Sequence, residues 1–485
     1  MNIKSRRIIE DAYNNAEDEA SGLRLAQQLI TTTAEFNSNN LVEMINTPNQ
    51  APAPSPVSTD TSYKAVIMLF MEGGADTFNL LVPHSGCHID SVAKDMYQEY
   101  QDVRGSVALS NAELLQIDAS SSMQVCETFG LHPEIPYFKQ LYDEHDLLFL
   151  ANVGVLTEPV DKINWLEKTR TALFTHNHQL RVVQQVDPFK LRDGSGVLGR
   201  MADVLTRSGR GTGLISIARE SYALVGEPGV SPSINFVKGD GLLPFNLRPT
   251  VMDMNSIMKQ LNAETTVMSG LFGKTWSETL KESLDSNEKV NAAMEKSFVT
   301  ELFPKTMLGS KMKLASRMIQ MHEALDSNRD VFYMRYAGFD SHEETTDTLH
   351  ELFSEMNDAI QAFVSEMKHQ GEWDNIVLLG ASEFGRALLS NSVEGTDHGW
   401  SGNYFLMGGE VNGGQIYGSF PEDLTESSPY SIGKGRMLPT TSWEQVWNGI
   451  AQWFGVKDEA DLDYVLPNRH KFADHFSDED LFGPL

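Results

Sequence analysis

Residues 331–382 constrain the fold more than any other stretch. "VFYMRYAGFDSH" is an apolar run that ends in a polar turn. "TTDTLHELFSEMNDAIQAFVSEMKHQG" (345–371) follows. Its Leu349, Leu352, Phe353, Met356, Ile360, Phe363, Val364 and Met367 recur at helical spacing. Gly371 is placed to end that helix. "NIVLLGASEFGR" then supplies a second buried strand. A strand, a long amphipathic helix and a strand make a β-α-β unit, which brings a parallel sheet and a right-handed crossover.

The rest of the chain repeats this alternation. "YKAVIMLFM" (63–71) and "LLFLANVGV" (147–155) are expected as buried strands, and "YFLMGG" (404–409) as another. "HPEIPYFKQLYDEHD" (132–146) is expected as a helix with Ile135, Phe138, Leu141 and Tyr142 on its apolar face. Residues 256–330 are expected to be mostly helical, with Met312, Ala315, Met318, Ile319 and Leu325 as a core stripe. "SWEQVWNGIAQWFG" pairs Ser442 with Gln445 in a capping-box pattern and has Gly455 as its stop. The expected class is an α/β sandwich.

A chain of 485 residues can build one large α/β domain with insertions. We expect that domain over 61–485. Residues 1–60 are set apart as an N-terminal extension. It carries a short amphipathic helix near 19–35 and then a Pro/Ser/Thr tract, "NTPNQAPAPSPVSTDTS".

Sixty-seven acids against 38 bases give a formal charge of −29. That balance argues against nucleic acid or an anionic membrane as partner. No apolar run approaches the ~20 residues of a spanning helix. Arg6-Arg7 has the form of a twin-arginine export signal, but "EDAYNNAEDEA" follows where an apolar stretch is required, so an intact signal is not expected. Cys87 and Cys126 lie in polar segments. They are either two free thiols or one bridge closing a loop of roughly 40 residues.

Three of the expected strands end in similar chemistry. One ends at Gly73-Gly74-Ala75-Asp76-Thr77, one at Gly338-Phe339-Asp340-Ser341-His342, and one at Ser382-Glu383-Phe384-Gly385-Arg386. In an open parallel sheet the carboxyl ends of the strands face one crevice, where ligands bind. "GTDHGWSGN" (395–403) adds Asp397 and His398. Asp76, Asp340, His342, Glu383, Asp397 and His398 are therefore the expected metal ligands or their supports. Carboxylates with imidazoles suit a divalent ion: zinc, manganese, iron, magnesium or calcium. Each cluster also has a plainer explanation as a helix cap, a turn former or a structural histidine.

"LFTHNHQLRVVQQ" (173–185) is a second polar knot. Thr175 is the candidate nucleophile, with His176 beside it and Asn177 as an anion contact. The alternative is a polar first turn of a helix, with Thr175 as its cap. Arg386 is either a clamp on an oxyanion or an ion-pair partner that holds the loop.

"FMEGGADTFNLLVP", "GLHPEIP", "LFTHNHQ", "GVLGRMADVL", "GFDSH", "SEFGRALLSN", "GTDHGWSGNYFLMGGEVNGGQIYG" and "PNRHKF", in this order, resemble the DUF1501 family over roughly 63–475. That family is similar to the alkaline phosphatase/sulfatase superfamily. The resemblance implies a three-layer α/β/α sandwich with a mostly parallel central sheet and a metal site at its carboxyl edge. It also implies a small phosphate- or sulfate-ester substrate, and it favours an extracytoplasmic home and a Cys87–Cys126 bridge.

Carried over, Asp76 resembles the first-strand ligand, Asp340 with His342 the middle pair, and His398 the later histidine. Thr175 stands where many members have Ser. Glu383-Phe384 departs from the usual Asp-His. The absence of a C/S-x-P-x-R signature argues against a formylglycine sulfatase. The expected function is a metal-dependent hydrolase of phosphate or sulfate esters; the alternative is a non-catalytic binding or structural member of the same fold.

Overall fold

Lys64–Glu72 forms β1, and eight of its nine residues are buried. A strand covered on both faces needs a layer on each side. The computed structural model describes residues 3–37, 62–190, 194–218, 221–226, 233–236, 254–263, 265 and 270–483. Beside β1, the central sheet holds β2 (Leu147–Gly154), β3 (Thr212–Ile217), β4 (Ser233–Asn235), β5 (Arg329–Ala337), β6 (Ile376–Ala381), β7 (Gly402–Met407), β8 (Ile416–Gly418) and β9 (Thr441–Ser442). The order is β8-β2-β7-β6-β1-β5-β3-β4, with β9 beside β2.

β1 runs parallel to β5 and β6, β3 to β5 and β4, and β8 and β9 to β2. Among the described strands of this sheet only β7 is antiparallel to its neighbours, β6 and β2. The sheet is thus mostly parallel, as expected. The β-α-β unit of 331–382 is present, but its two strands do not touch: β1 lies between them.

The helices that matter for the site are α1 (Pro136–Asp143), α2 (His176–Gln185), α3 (Val197–Arg207), α4 (Met307–Gln320), α5 (Thr345–Gln370) and α6 (Trp443–Phe454). α1, α4 and α5 pack together. α3 and α6 pack with the helix Glu459–Val465. α4 and α3 both lie on β5, whose successive residues are buried through Phe332, Tyr333 and Met334, so both faces of the strand are covered by the two groups. The result is a three-layer α/β/α sandwich.

Local rules account for the helix ends. α5 stops at Gly371, whose φ of 76° suits glycine. Seven of its eight expected stripe residues are buried, while Leu352 is half-buried. α6 carries the Ser442–Gln445 capping box and stops at Gly455. Met312, Ala315, Met318 and Ile319 are buried on α4, as expected. Leu325 departs from that stripe, because α4 ends at Gln320 and Leu325 falls in a separate 3-10 turn.

A second, antiparallel sheet joins Leu81–Ile89, Val92–Ala93, Leu115–Asp118 and Cys126–Leu131. Cys87 lies opposite Cys126 in it and the two form a disulfide. Of the two states open to this pair, the bridge is the one formed.

The chain divides into two compact units. One is Met1–Pro54 with Gly241–Ser297; the other is Ser55–Asp240 with Phe298–Leu485. In the smaller unit, helices Ile3–Asn14 and Glu19–Thr31 share a core with Met254–Ala263 and Gly270–Met294, built from Ile9, Ala12, Leu29, Met254, Met258, Leu261 and Leu284. The N-terminal segment is therefore no isolated extension. Its apolar faces need cover, and a segment assigned by sequence to the large domain supplies it. The Pro/Ser/Thr tract lies outside the described residues up to position 61. No described helix is long and apolar enough to cross a membrane.

Candidate functional site

Register places three strand ends together. Glu72 pairs with Ala337 and Phe70 with Ala381, so β1, β5 and β6 leave the sheet at the same edge. The loops then close on one another. Gly73 N donates to Glu383 Oε1 at 2.9 Å, and Ala75 N to Ser382 Oγ at 3.0 Å. A Cβ on Gly73 would lie 2.3 Å from Asp340 N, and one on Gly74 2.2 Å from the Phe384 ring. Both glycines have positive φ, 124° and 74°.

Two further segments reach this edge. The hairpin of Arg386–Ser390 with Thr396–His398 sets Arg386 opposite His398. Helix α2 begins at His176, with Thr175 as its N-cap residue. His176, Asp340 and His398 each offer a ligand atom, and these atoms all lie within 4.8 Å of one another. The Asp340 carboxylate stands 3.5 Å from His176 Nε2 and 3.5 Å from His398 Nε2. His342 borders the group: its Nε2 is 2.9 Å from His398 Nε2 and 3.2 Å from Asp340 Oδ1.

The outer partners fix how the imidazoles present themselves. His398 Nδ1 lies 2.8 Å from the Phe174 carbonyl, which can only accept, so Nδ1 carries the proton and Nε2 keeps its lone pair. His176 Nδ1 lies 2.9 Å from Glu383 Oε1 and donates to it in the same way. In their neutral forms the two rings thus present Nε2 beside one carboxylate, and that of His398 also meets His342 Nε2 at 2.9 Å. This is a donor set that fits a divalent ion, with the outer hydrogen bonds that such ligands usually have.

Charge acts differently on the three groups. The hydrogen bond to Glu383 raises the His176 pKa above the ordinary value, against an opposing push from partial burial. Burial lowers that of His398, helped by the neighbouring Arg386, His176 and His342 charges. Burial alone would raise Asp340, but the hydrogen bond and charge of Arg386, with His176 and His342, outweigh it and hold the carboxyl below its usual range. Phe384 packs its ring against both imidazoles, 5.0 Å from His176 and 4.6 Å from His398, and the two imidazoles meet each other edge to face at 4.5 Å.

Other expected residues are placed differently. Asp76 lies outside the ligand group. It is fully buried, and its Oδ2 accepts from Arg104 Nη2 at 2.7 Å. The same Arg104 nitrogen donates to Asn79 Oδ1, which also accepts from Tyr100 Oη. Arg386 is fully buried as well. Its donors go to the carbonyls of Gly73, Gly74 and Thr396 and to the Asp340 carboxylate. Of the two roles open to Arg386, the ion pair that holds the loops is the one seen, and its donors are taken by protein acceptors.

Glu383 is buried and supports His176 without joining the group. Asp397 is exposed, with Oδ1 3.6 Å from His342 Nδ1. Thr175 is exposed, and its hydroxyl donates to the Ala172 carbonyl at 2.8 Å. Asn177 is exposed on the first turn of α2.

Sequence reasoning missed Arg104 and Phe174. Arg104 ends a polar helix, Met96–Arg104, with no pattern to mark it. Phe174 contributes a backbone carbonyl, which no side-chain motif can announce.

The fold and this edge define a class, an α/β/α sandwich with a histidine–carboxylate cluster at the carboxyl ends of its parallel strands. Residues 259–433 match the family model described as a protein of unknown function, DUF1501, and the resemblance drawn from the motifs is shown over that span. Comparison with curated proteins gives no match. Similar solved structures include the C-terminal periplasmic domain of EcEptC from Escherichia coli in complex with Zn, at 8% identity and TM-score 0.29, covering 73% of this chain and 77% of that one. They also include the lipoteichoic acid synthase LtaP from Listeria monocytogenes, at 9% and 0.31, covering 79% and 75%. A third is the PsFucS1 sulfatase from Pseudoalteromonas sp., at 9% and 0.27, covering 73% and 64%.

Proposed function

We propose that the chain is a metal-dependent hydrolase of phosphate or sulfate esters, with His176, Asp340 and His398 holding one divalent ion. The observation that carries this reading is the pair of Nε2 atoms set beside one carboxylate, each ring fixed by a partner on Nδ1. Two imidazoles favour zinc, manganese or iron over magnesium or calcium. Such an ion, when bound, supplies Lewis acidity toward an ester oxyanion. Asp76 is paired with Arg104, which supports one ion rather than two.

The chain's own groups do the remaining work. His342 is half exposed and sits against both His398 and Asp340, where it can hold or release a proton at Nε2. Thr175 remains the proposed nucleophile. Its proton is directed to Ala172 O, so its lone pairs stay available next to His176. The Cys87–Cys126 bridge supports an extracytoplasmic setting.

A second reading, a non-catalytic member of the fold, has support of its own: the Arg386 guanidinium is committed to protein acceptors. Metal analysis of the purified protein, run beside a phosphatase, phosphodiesterase and sulfatase panel, separates the two. Hydrolysis that disappears together with the ion in Asp340→Ala and His398→Ala supports the enzyme. No divalent ion, or activity that survives Asp340→Ala, sinks it.

A further inference from the structure

The geometry points to Arg436 as the residue that receives the tetrahedral oxyanion of the substrate, an inference that rests on the hydrolase reading above. The backbone of Arg436 is held in a tight turn. Gly433, Lys434 and Gly435 have φ of 91°, 60° and 68°, and Arg436 N donates to Gly433 O at 3.3 Å. Gly435 O accepts from Leu388 N at 2.7 Å, which ties the turn to the hairpin that carries His398.

The side chain is fixed on two sides. Arg436 Nε donates to the His398 carbonyl at 2.9 Å, and the guanidinium carbon lies 4.3 Å from the centre of the Phe174 ring. One contact is to a proposed ligand residue. The other is to the residue whose carbonyl fixes that ligand and which stands two positions before His176. The guanidinium is therefore wedged between the two segments that bring the imidazoles.

Its terminal nitrogens are a different matter. Nη1 and Nη2 have no hydrogen-bond or ion-pair partner among the described residues, whereas Arg104 and Arg386 direct theirs at buried acceptors. In a chain with 67 acids and 38 bases, a preset guanidinium beside the site with no carboxylate on it stands out. A fixed plane with two free N–H edges suits the fork geometry of phosphate or sulfate oxygens.

The test is calorimetric titration of the whole protein with inorganic phosphate, and separately with inorganic sulfate. Wild type is compared with Arg436→Gln and Arg436→Lys, and metal content and melting temperature are recorded for each. Glutamine can keep a donor near the His398 carbonyl without charge; lysine keeps the charge without the fork. The expected result is a loss of affinity of about tenfold or more in Arg436→Gln and a smaller loss in Arg436→Lys, at unchanged metal content.

Which of the two anions binds more tightly tells phosphate from sulfate chemistry. The inference falls if wild type binds neither anion, or if Arg436→Gln binds as wild type does. It also falls if Arg436→Gln loses metal with the anion, since Arg436 is then only a strut for Phe174. The hydrolase reading fails in another way, through absence of a divalent ion and of ester turnover.

Discussion

His398 Nδ1 donates to the carbonyl oxygen of Phe174 across 2.8 Å, and the two residues are 224 positions apart. Phe174 holds a φ of 62°, a left-handed conformation that costs a bulky residue about 1–3 kcal/mol. The ring is retained by a small cluster around Leu156, Trp400, Leu438 and Phe472, and by Arg436. One imidazole of the site is thus oriented by a backbone group in a rare conformation, and the other by a buried carboxylate.

That carboxylate gives the first prediction. Glu383→Gln keeps an oxygen for Gly73 N but removes the charge that faces His176 Nδ1. Divalent-ion affinity should fall about 10–100-fold. Competition against a chromogenic chelator measures it, and an unchanged affinity would remove Glu383 from the support of the site.

Arg104 and Asp76 form an ion pair with both side chains fully buried. Asp76 Oδ1 has no hydrogen-bond partner, so the carboxylate depends on Arg104 for its neutralisation. Arg104→Met should cost about 3–5 kcal/mol in chemical denaturation. Asp76→Asn should cost less, because the arginine keeps the Ala387 and Leu388 carbonyls. The reverse order would show that the arginine is the more dependent partner.

Gly74 stands 2.2 Å, at its missing Cβ, from the ring of Phe384. Gly74→Ala must move that ring or open the turn, and its φ of 74° adds strain of about 1–2 kcal/mol. Because the Phe384 ring packs against both His176 and His398, the variant should lose bound metal as well as stability. Stability lost with metal retained would show that the ring only fills space.

Glu444 supplies a pH dependence remote from the metal ligands. It lies in the first turn of α6, almost fully buried, and its Oε1 has no hydrogen-bond partner. Burial raises its pKa to about 8, with Asp187 raising it further and Arg200 and Lys471 opposing. A carboxyl whose folded pKa lies above its unfolded one favours the fold while protonated. That stability is complete below the unfolded value near 4.5 and is lost as pH rises toward 8. The loss is on the order of 4 kcal/mol. Denaturation between pH 5 and pH 8.5 should show the decline in wild type, and Glu444→Gln should flatten it.

Much of the sheet was legible in the sequence because parallel strands buried on both faces are continuous apolar runs. The runs at 63–71, 147–155 and 376–381 needed no context to be recognised. Strand ends sharing an edge led to Asp340, whereas His398 enters from a hairpin outside the central sheet, which that rule does not cover. The commitments of Asp76 and Arg386 did not follow, because an acid or arginine has the same letter whether it faces a ligand or a buried partner. The antiparallel direction of β7 was equally hidden, since direction depends on the connection and not on the composition of the strand. The helices of the small unit showed apolar stripes, yet a stripe does not say which distant segment will cover it.

That last feature sets a timetable for the ribosome. The N-terminal helices of the small unit, complete by Asn37, share their core with residues up to Leu284. At about 5–20 residues per second, the gap between Asn37 and Leu284 takes roughly 10–50 s to translate. Through that interval the apolar faces of Ile9, Ala12 and Leu29 lack their partners, so a nascent chain stalled before position 254 should be a better chaperone client than the finished one.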